Sequence, residues 1–264
     1  MSKFTFSSKT NTTTDAAEAS TESTSAVAVV TPNTSLAPSR PAAPMAVGGL
    51  VGDFGDADIK LPRLNIVQGV GDLSADFKPG SIVYNGEVEL IPAGDPKEWT
   101  SPLNLTVISA RKDFIQNTDY DSDERADVVG SLEEVEQRGG TIEWLNDQPP
   151  SWLPRLTMLV LIEAPEGNEA FAERCSLVAP NGKPCELALW TVRKSAYTRA
   201  GKAVMTAARY NLRNKETNEP ELHHGKWTLQ VRREKLGQYQ VYVPLLKQNG
   251  RHDKEYVDFA AQLM

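Results

Sequence analysis

The chain has 264 residues, 40% hydrophobic and 24% charged, with a formal net charge of −7. These values suit a soluble globular protein with one large domain or two small ones, and they exclude a global electrostatic pull towards nucleic acid or anionic lipid. No run reaches the ~18 apolar residues of a membrane helix, and the apolar run 26–30 is too short for a secretory leader, so a cytoplasmic protein without membrane contact is expected.

Residues 1–56 are rich in Ser, Thr, Ala, Pro and Gly, with Phe4, Phe6 and Phe54 as their only aromatics. Such a segment buries too little apolar area to offset backbone ordering, and a disordered N-terminal tail is expected. An ordered domain is expected over 57–250. "IKLPRLNIVQ" (59–68) reads as a first or edge strand, because Pro62 cannot donate to a ladder. "KPGSIVYNGEVELIP" (78–92) places Asn85-Gly86 between two apolar alternations, a strong hairpin signal. In "LNLTVISARKDF" (103–114), Leu103, Leu105 and Val107 alternate before the sequence turns charged, which predicts another strand.

Residues 113–147 then form an acidic insert. Eleven Asp or Glu face only Arg125 and Arg138, a net of −9. Asp119, Asp121 and Asp123 have the spacing of a calcium loop. Glu124 stands where that loop needs glycine, however, and Gly130 where it needs glutamate. A solvated loop and helix is the expectation. "WLPRLTMLVLIEAP" (152–165) predicts a strand buried on both faces, and "ERCSLVAP" and "CELALWTV" predict two more around the turn Asn181–Pro184.

Between Trp190 and Arg213 there are six Arg or Lys and no carboxylate. On a helix of about 100° per residue, Arg199, Lys202, Arg209 and Arg213 share one face, and Tyr197, Ala200, Val204 and Ala207 lie opposite. Solvated helices usually mix charge signs, since like charges at i and i+4 repel. Either phosphates or the acidic insert could supply the missing counter-charge. A second hairpin, "KWTLQVRREKLGQYQVYVPLL", turns near Lys235-Leu236-Gly237 and adds Lys226, Trp227, Arg232, Arg233, Lys235 and Tyr239. Residues 251–264 predict a short terminal helix capped by Asp253. Across 186–250 the net charge is +7. Cations that track a backbone, interleaved with rings that stack on bases, are what single-strand binding requires.

Catalytic and metal signatures are missing. Gly201-Lys202 lacks the earlier glycine of a phosphate loop, and Ala203 replaces its Ser or Thr; neither GxSxG nor HExxH occurs. Cys175, Cys185, His223 and His224 are irregularly spaced for zinc. No enzyme activity, cofactor or metal is expected.

Several short strands, two hairpins and one internal amphipathic helix indicate a mostly β, α+β chain built as a small barrel with additions. Four segments, "LPRLNIVQ" (61–68), "KPGSIVYNGEVELIP", "LALWTVRKSAYTRAGKAVMTAARYNL" (187–212) and the second hairpin, resemble a family of bacteriophage early-region proteins. That family carries an "LPxLxIVQ" opening, a "KPGxIxxxxGE" hairpin, a long insert and a basic helix. The resemblance implies an OB-like fold and sequence-nonspecific single-stranded DNA binding in phage replication or recombination. It leaves room for self-association and for replication or recombination proteins as partners. Some relatives carry a cysteine cluster in the insert, which this chain lacks between 113 and 174. The expected contact residues are Arg193, Lys194, Arg199, Lys202, Arg209, Arg213, Lys226, Trp227, Arg232, Arg233, Lys235 and Tyr239. The alternative is a structural or interaction protein whose basic helix docks an acidic surface, such as the insert of a neighbouring copy.

Overall fold

A computed structural model of the chain describes residues 61–118 and 125–264. The N-terminal tail and the aspartates of the calcium-like loop lie outside the described residues. Strands β1 (Leu64–Ile66), β2 (Ile82–Tyr84) and β3 (Val88–Ile91) form an antiparallel sheet, with the short helix α1 (Leu73–Asp76) between β1 and β2. Asn85 and Gly86 take φ of 52° and 73°, the two left-handed positions of a type I′ turn. The first predicted hairpin is therefore present.

The larger sheet runs β10-β9-β4-β6-β8-β7, with β5 paired to β4. Its members are β4 (Leu103–Gln116), β5 (Val128–Val129), β6 (Trp152–Glu163), β7 (Leu177–Val178), β8 (Pro184–Arg193), β9 (Gly225–Leu236) and β10 (Tyr239–Arg251). The second hairpin turns one position later than expected. Leu236 pairs with Tyr239, and Gly237 sits at φ 61°, first of the two central residues. Glycine is the residue that reaches this conformation without steric cost.

The inner face of this sheet packs Leu105, Val107, Met158, Val160, Trp190, Trp227 and Leu229 against Ile82, Tyr84 and Leu90 of the small sheet. On the outer face, Ile108, Leu161 and Cys185 lie under Tyr256 and Ala260 of the terminal helix α6 (Lys254–Ala261). Asp253 caps that helix as expected, accepting from Tyr256 N–H at 3.0 Å. The two sheets are not joined into a closed ladder. The segment leading into β1 binds β8 through Leu189 N–H and the Pro62 carbonyl (2.8 Å), and Gln68 bonds both backbone groups of Tyr242 in β10 (3.0 and 3.1 Å).

Most described residues of the acidic insert after Arg125 are exposed, and two apolar side chains anchor it. Helix α2 (Leu132–Gln137) is capped by Ser131, which accepts from Glu134 N–H at 3.2 Å, and Val135 joins Phe114, Val129 and Trp152 in a small separate core. Asp113, counted with the insert, belongs to β4 and is buried. Strand β6 is buried on both faces only towards its end. Near its start the outer positions Arg155 and Thr157 are half-exposed. A further short helix, α3 (Glu169–Ala172), precedes β7.

The junction of sheet and terminal helix contains a polar cluster. His252 Nε2 lies 2.8 Å from Thr106 Oγ1, its ring stacks on Tyr256 at 3.8 Å, and the Tyr256 hydroxyl donates to Glu163 (3.3 Å). Burial, reinforced by the Lys226 charge, holds the His252 imidazole down at about 4; Asp253 opposes this and His224 adds slightly to it. An unfolded chain takes up that proton near the ordinary histidine value of about 6.5. Stability conferred by neutral His252 is therefore complete above about 6.5 and is lost as pH falls towards 4. The thermal midpoint of the wild type is expected to decline through that window, and His252→Gln to flatten the decline. Parallel declines in both proteins would rule this out.

Candidate nucleic-acid interface

The basic segment is helical but not one regular helix. Lys194 turns the chain out of β8 at φ 53°, a left-handed conformation that is costly for a residue with a Cβ. Helix α4 (Lys194–Ala196) passes into a π turn over Tyr197–Gly201, and α5 (Lys202–Tyr210) follows. A Cβ on Gly201 would approach the Tyr197 ring to 2.9 Å, so the underwound turn depends on glycine there. Tyr197, Ala200, Val204 and Ala207 are buried, which matches the predicted apolar stripe.

The cationic stripe is retained in part. Arg199, Lys202 and Arg209 are exposed. Arg213 is not on the helix, which ends at Tyr210; its Nε donates to the Asn218 carbonyl at 2.5 Å and pins the following loop. Placing it on the stripe is corrected accordingly. The uniform 100° wheel failed because the π turn changes the phase and Asn211 stops the helix.

Trp227 also requires correction. It is 2% exposed and packs in the main core, so it cannot present a ring to a base. In β9 it occupies the same face as Leu229 and Val231, both buried. Its indole Nε1 has no hydrogen-bond partner and lies against Gly225, where a Cβ would come within 2.7 Å. In the helix and hairpin the exposed rings are instead Tyr239 at 67% and Tyr210 at 72%. Arg209 places its guanidinium 5.7 Å from the Tyr210 ring centroid. Tyr210 stood in the basic segment but was not among the expected contacts.

The hairpin and the helix meet. Arg199 bonds Glu234 at 2.7 Å, and Arg232 bonds the other oxygen of that carboxylate at 2.8 Å while stacking over Trp99 (4.4 Å). Arg233 and Lys235 lie on the opposite face of the ribbon and are exposed. Lys194, Lys202 and Arg209 complete the charged surface, in which Glu234 is the carboxylate that bonds the arginines. A groove of about 360 Å³ beside α5 is lined by Arg199, Lys202, Thr206, Asn211 and Gln248 over Trp227 and Leu246. Lys226 lies apart, lining the polar cavity beside His252.

Another cationic surface was missed by the sequence reading. On the outer face of the large sheet, Arg111, Thr157 and Thr191 are register partners, as are Asp113, Arg155 and Arg193. Arg63 joins them through its bridge to Leu189. A cavity of about 800 Å³ has Glu89, Glu163, Glu166 and Glu169 among its lining residues and does not suit a polyanion.

Among the described residues no three His, Cys, Asp or Glu side chains are grouped to hold a metal. Burial pushes the Cys175 thiol up to about 11 and Cys185 up to about 12, so both are poor nucleophiles and poor ligands at neutral pH. Compared with family models, curated proteins and solved structures, the chain gives no match in any of the three.

Proposed function

We propose that the protein binds single-stranded DNA without sequence preference, on a surface formed by α5, the preceding π turn and the β9–β10 hairpin. The observation that carries this reading is the Arg199–Glu234 contact, which joins two cationic segments far apart in sequence. Lys194, Lys202 and Arg209 stay exposed on the helical side of that contact with Tyr210, and Arg233 and Lys235 are exposed on the other face of the hairpin ribbon, whose turn carries the exposed Tyr239. Cations neutralise phosphates while rings stack on bases, and neither reads sequence. In this reading the two antiparallel sheets are an OB-like barrel in which Gln68 supplies the last link, and the setting is phage replication or recombination, as the sequence resemblance implies.

Replacing Lys202, Arg209, Arg233 and Lys235 by Gln tests it. These residues are exposed and take part in no ion pair among the described residues, so the fold is expected to survive. Oligonucleotide affinity is expected to drop, and the log–log salt slope to become shallower by about 0.7 per lost phosphate contact. Binding unchanged at every salt concentration would leave the surface to a protein partner instead.

A further inference from the structure

We infer that the outer face of the large sheet holds a second site, a pocket for a nucleotide phosphate centred on Arg63, Arg155 and Arg193. The cavity measures about 400 Å³, and its lining includes these three arginines with Asn65, Thr191 and Leu189. That volume lies within the range of small-ligand sites and accommodates one nucleotide rather than a bare ion.

Three features make it more than a charged patch. The first is the fixed geometry of Arg155. Its Nε and one Nη donate to the two Asp113 oxygens, both at 2.7 Å, and Asp113 is 4% exposed. The guanidinium plane is locked, leaving the other Nη free for a further acceptor. The second is charge. Asp113 balances Arg155 alone, so Arg63 and Arg193, with Arg111 two residues along the strand, remain as excess positive charge beside it. The third is mixed chemistry. Leu189 gives an apolar base for a sugar or ring, while Asn65 and the Thr191 hydroxyl, 3.3 Å from Thr157, offer neutral polar contacts. Arginine forks suit phosphate oxygens geometrically as well as electrostatically. The site extends the single-strand reading, since a phosphate here would be either a free nucleotide's or a strand's.

The test compares wild type with Arg63→Gln/Arg193→Gln, both exposed positions outside the core. Thymidine monophosphate, thymidine and an unlabelled oligothymidylate are titrated by calorimetry. Wild type is expected to bind the monophosphate and not the nucleoside, and the double variant to lose at least tenfold in monophosphate affinity at an unchanged thermal midpoint. If the strand also uses the pocket, its salt slope falls by about 0.7 in the variant, the value for the one phosphate the pocket holds; an unchanged slope with lost monophosphate binding assigns the pocket to a free nucleotide. Equal binding of thymidine and its monophosphate, no binding of either, or a variant that binds both as wild type does overturns the proposal. A helix–hairpin quadruple variant that binds strands normally while the pocket variant fails would remove the first reading and keep this one.

Discussion

Replacing Trp227 by alanine is expected to lower unfolding free energy by about 3–5 kcal/mol, the usual cost of deleting a buried aromatic side chain that its neighbours cannot collapse to fill. The ring is 2% exposed, between Leu105 of β4, its register partner, and the groove beside α5. In an ordered domain of this size each kcal/mol moves Tm by roughly 2–4 °C, so a fall of about 10 °C is the expected readout. Trp227→Phe is expected to be far milder. It keeps most of the apolar volume and removes an indole N–H that has no partner. Oligonucleotide affinity of the folded Phe variant should match wild type. A binding loss without destabilisation would show that the ring does reach the ligand.

Asp113→Ala is the second large effect, expected at about 2–4 kcal/mol. Removing one member of a buried pair typically costs about 3–5 kcal/mol because the partner charge is left uncompensated, and the water reaching Arg155 reduces that figure. The Arg155 side chain is 23% exposed against 6% for Asp113. The two hydrogen bonds that Arg155 donates to Asp113 raise its guanidinium pKa in the wild type, and even without them an arginine keeps its proton at neutral pH, so Arg155 cannot escape the loss by neutralising itself. Asp113→Ala/Arg155→Met, which removes both charges, is expected to recover part of the loss in urea unfolding. A single variant as stable as wild type would mean that solvent already screens the pair.

Local chemistry announces some features of this chain. Asn85-Gly86 and Asp253 name their turn and their cap because each satisfies a backbone need within a few residues. The burial of Tyr197, Ala200, Val204 and Ala207 follows from helical spacing alone. Trp227 did not reveal its place, because strand alternation says which residues share a face but not which face meets the core. The arginines of the outer face were hidden for a different reason. Counting by twos from Leu103, Leu105 and Val107 puts Arg111 and Asp113 on the inner side. The register shift between Val107 and Ser109 inserts Ile108 as an extra residue and reverses that parity. Arg111 and Asp113 consequently line up with Thr157 and Arg155 outside. Arg63 reaches the same face only through a tertiary bridge 126 positions away in sequence, at Leu189. Arg213 and the π turn show the limit of an ideal wheel, since a one-residue change of pitch is invisible in the residue pattern.

The Gln68 link has a mechanical meaning. One primary amide supplies both the donor and the acceptor that a neighbouring strand would otherwise provide, so the small sheet is fastened to β10 there by a single side chain. A ladder of many backbone bonds yields cooperatively, whereas this fastening can let go with one rotamer change at residue 68. Losing it would loosen the small sheet from β10 along that line, while the β9–β10 ribbon stays held by its ladder to β4, Leu103 with Leu229 and Leu105 with Trp227, and by the burial of Trp227, Leu229 and Val231.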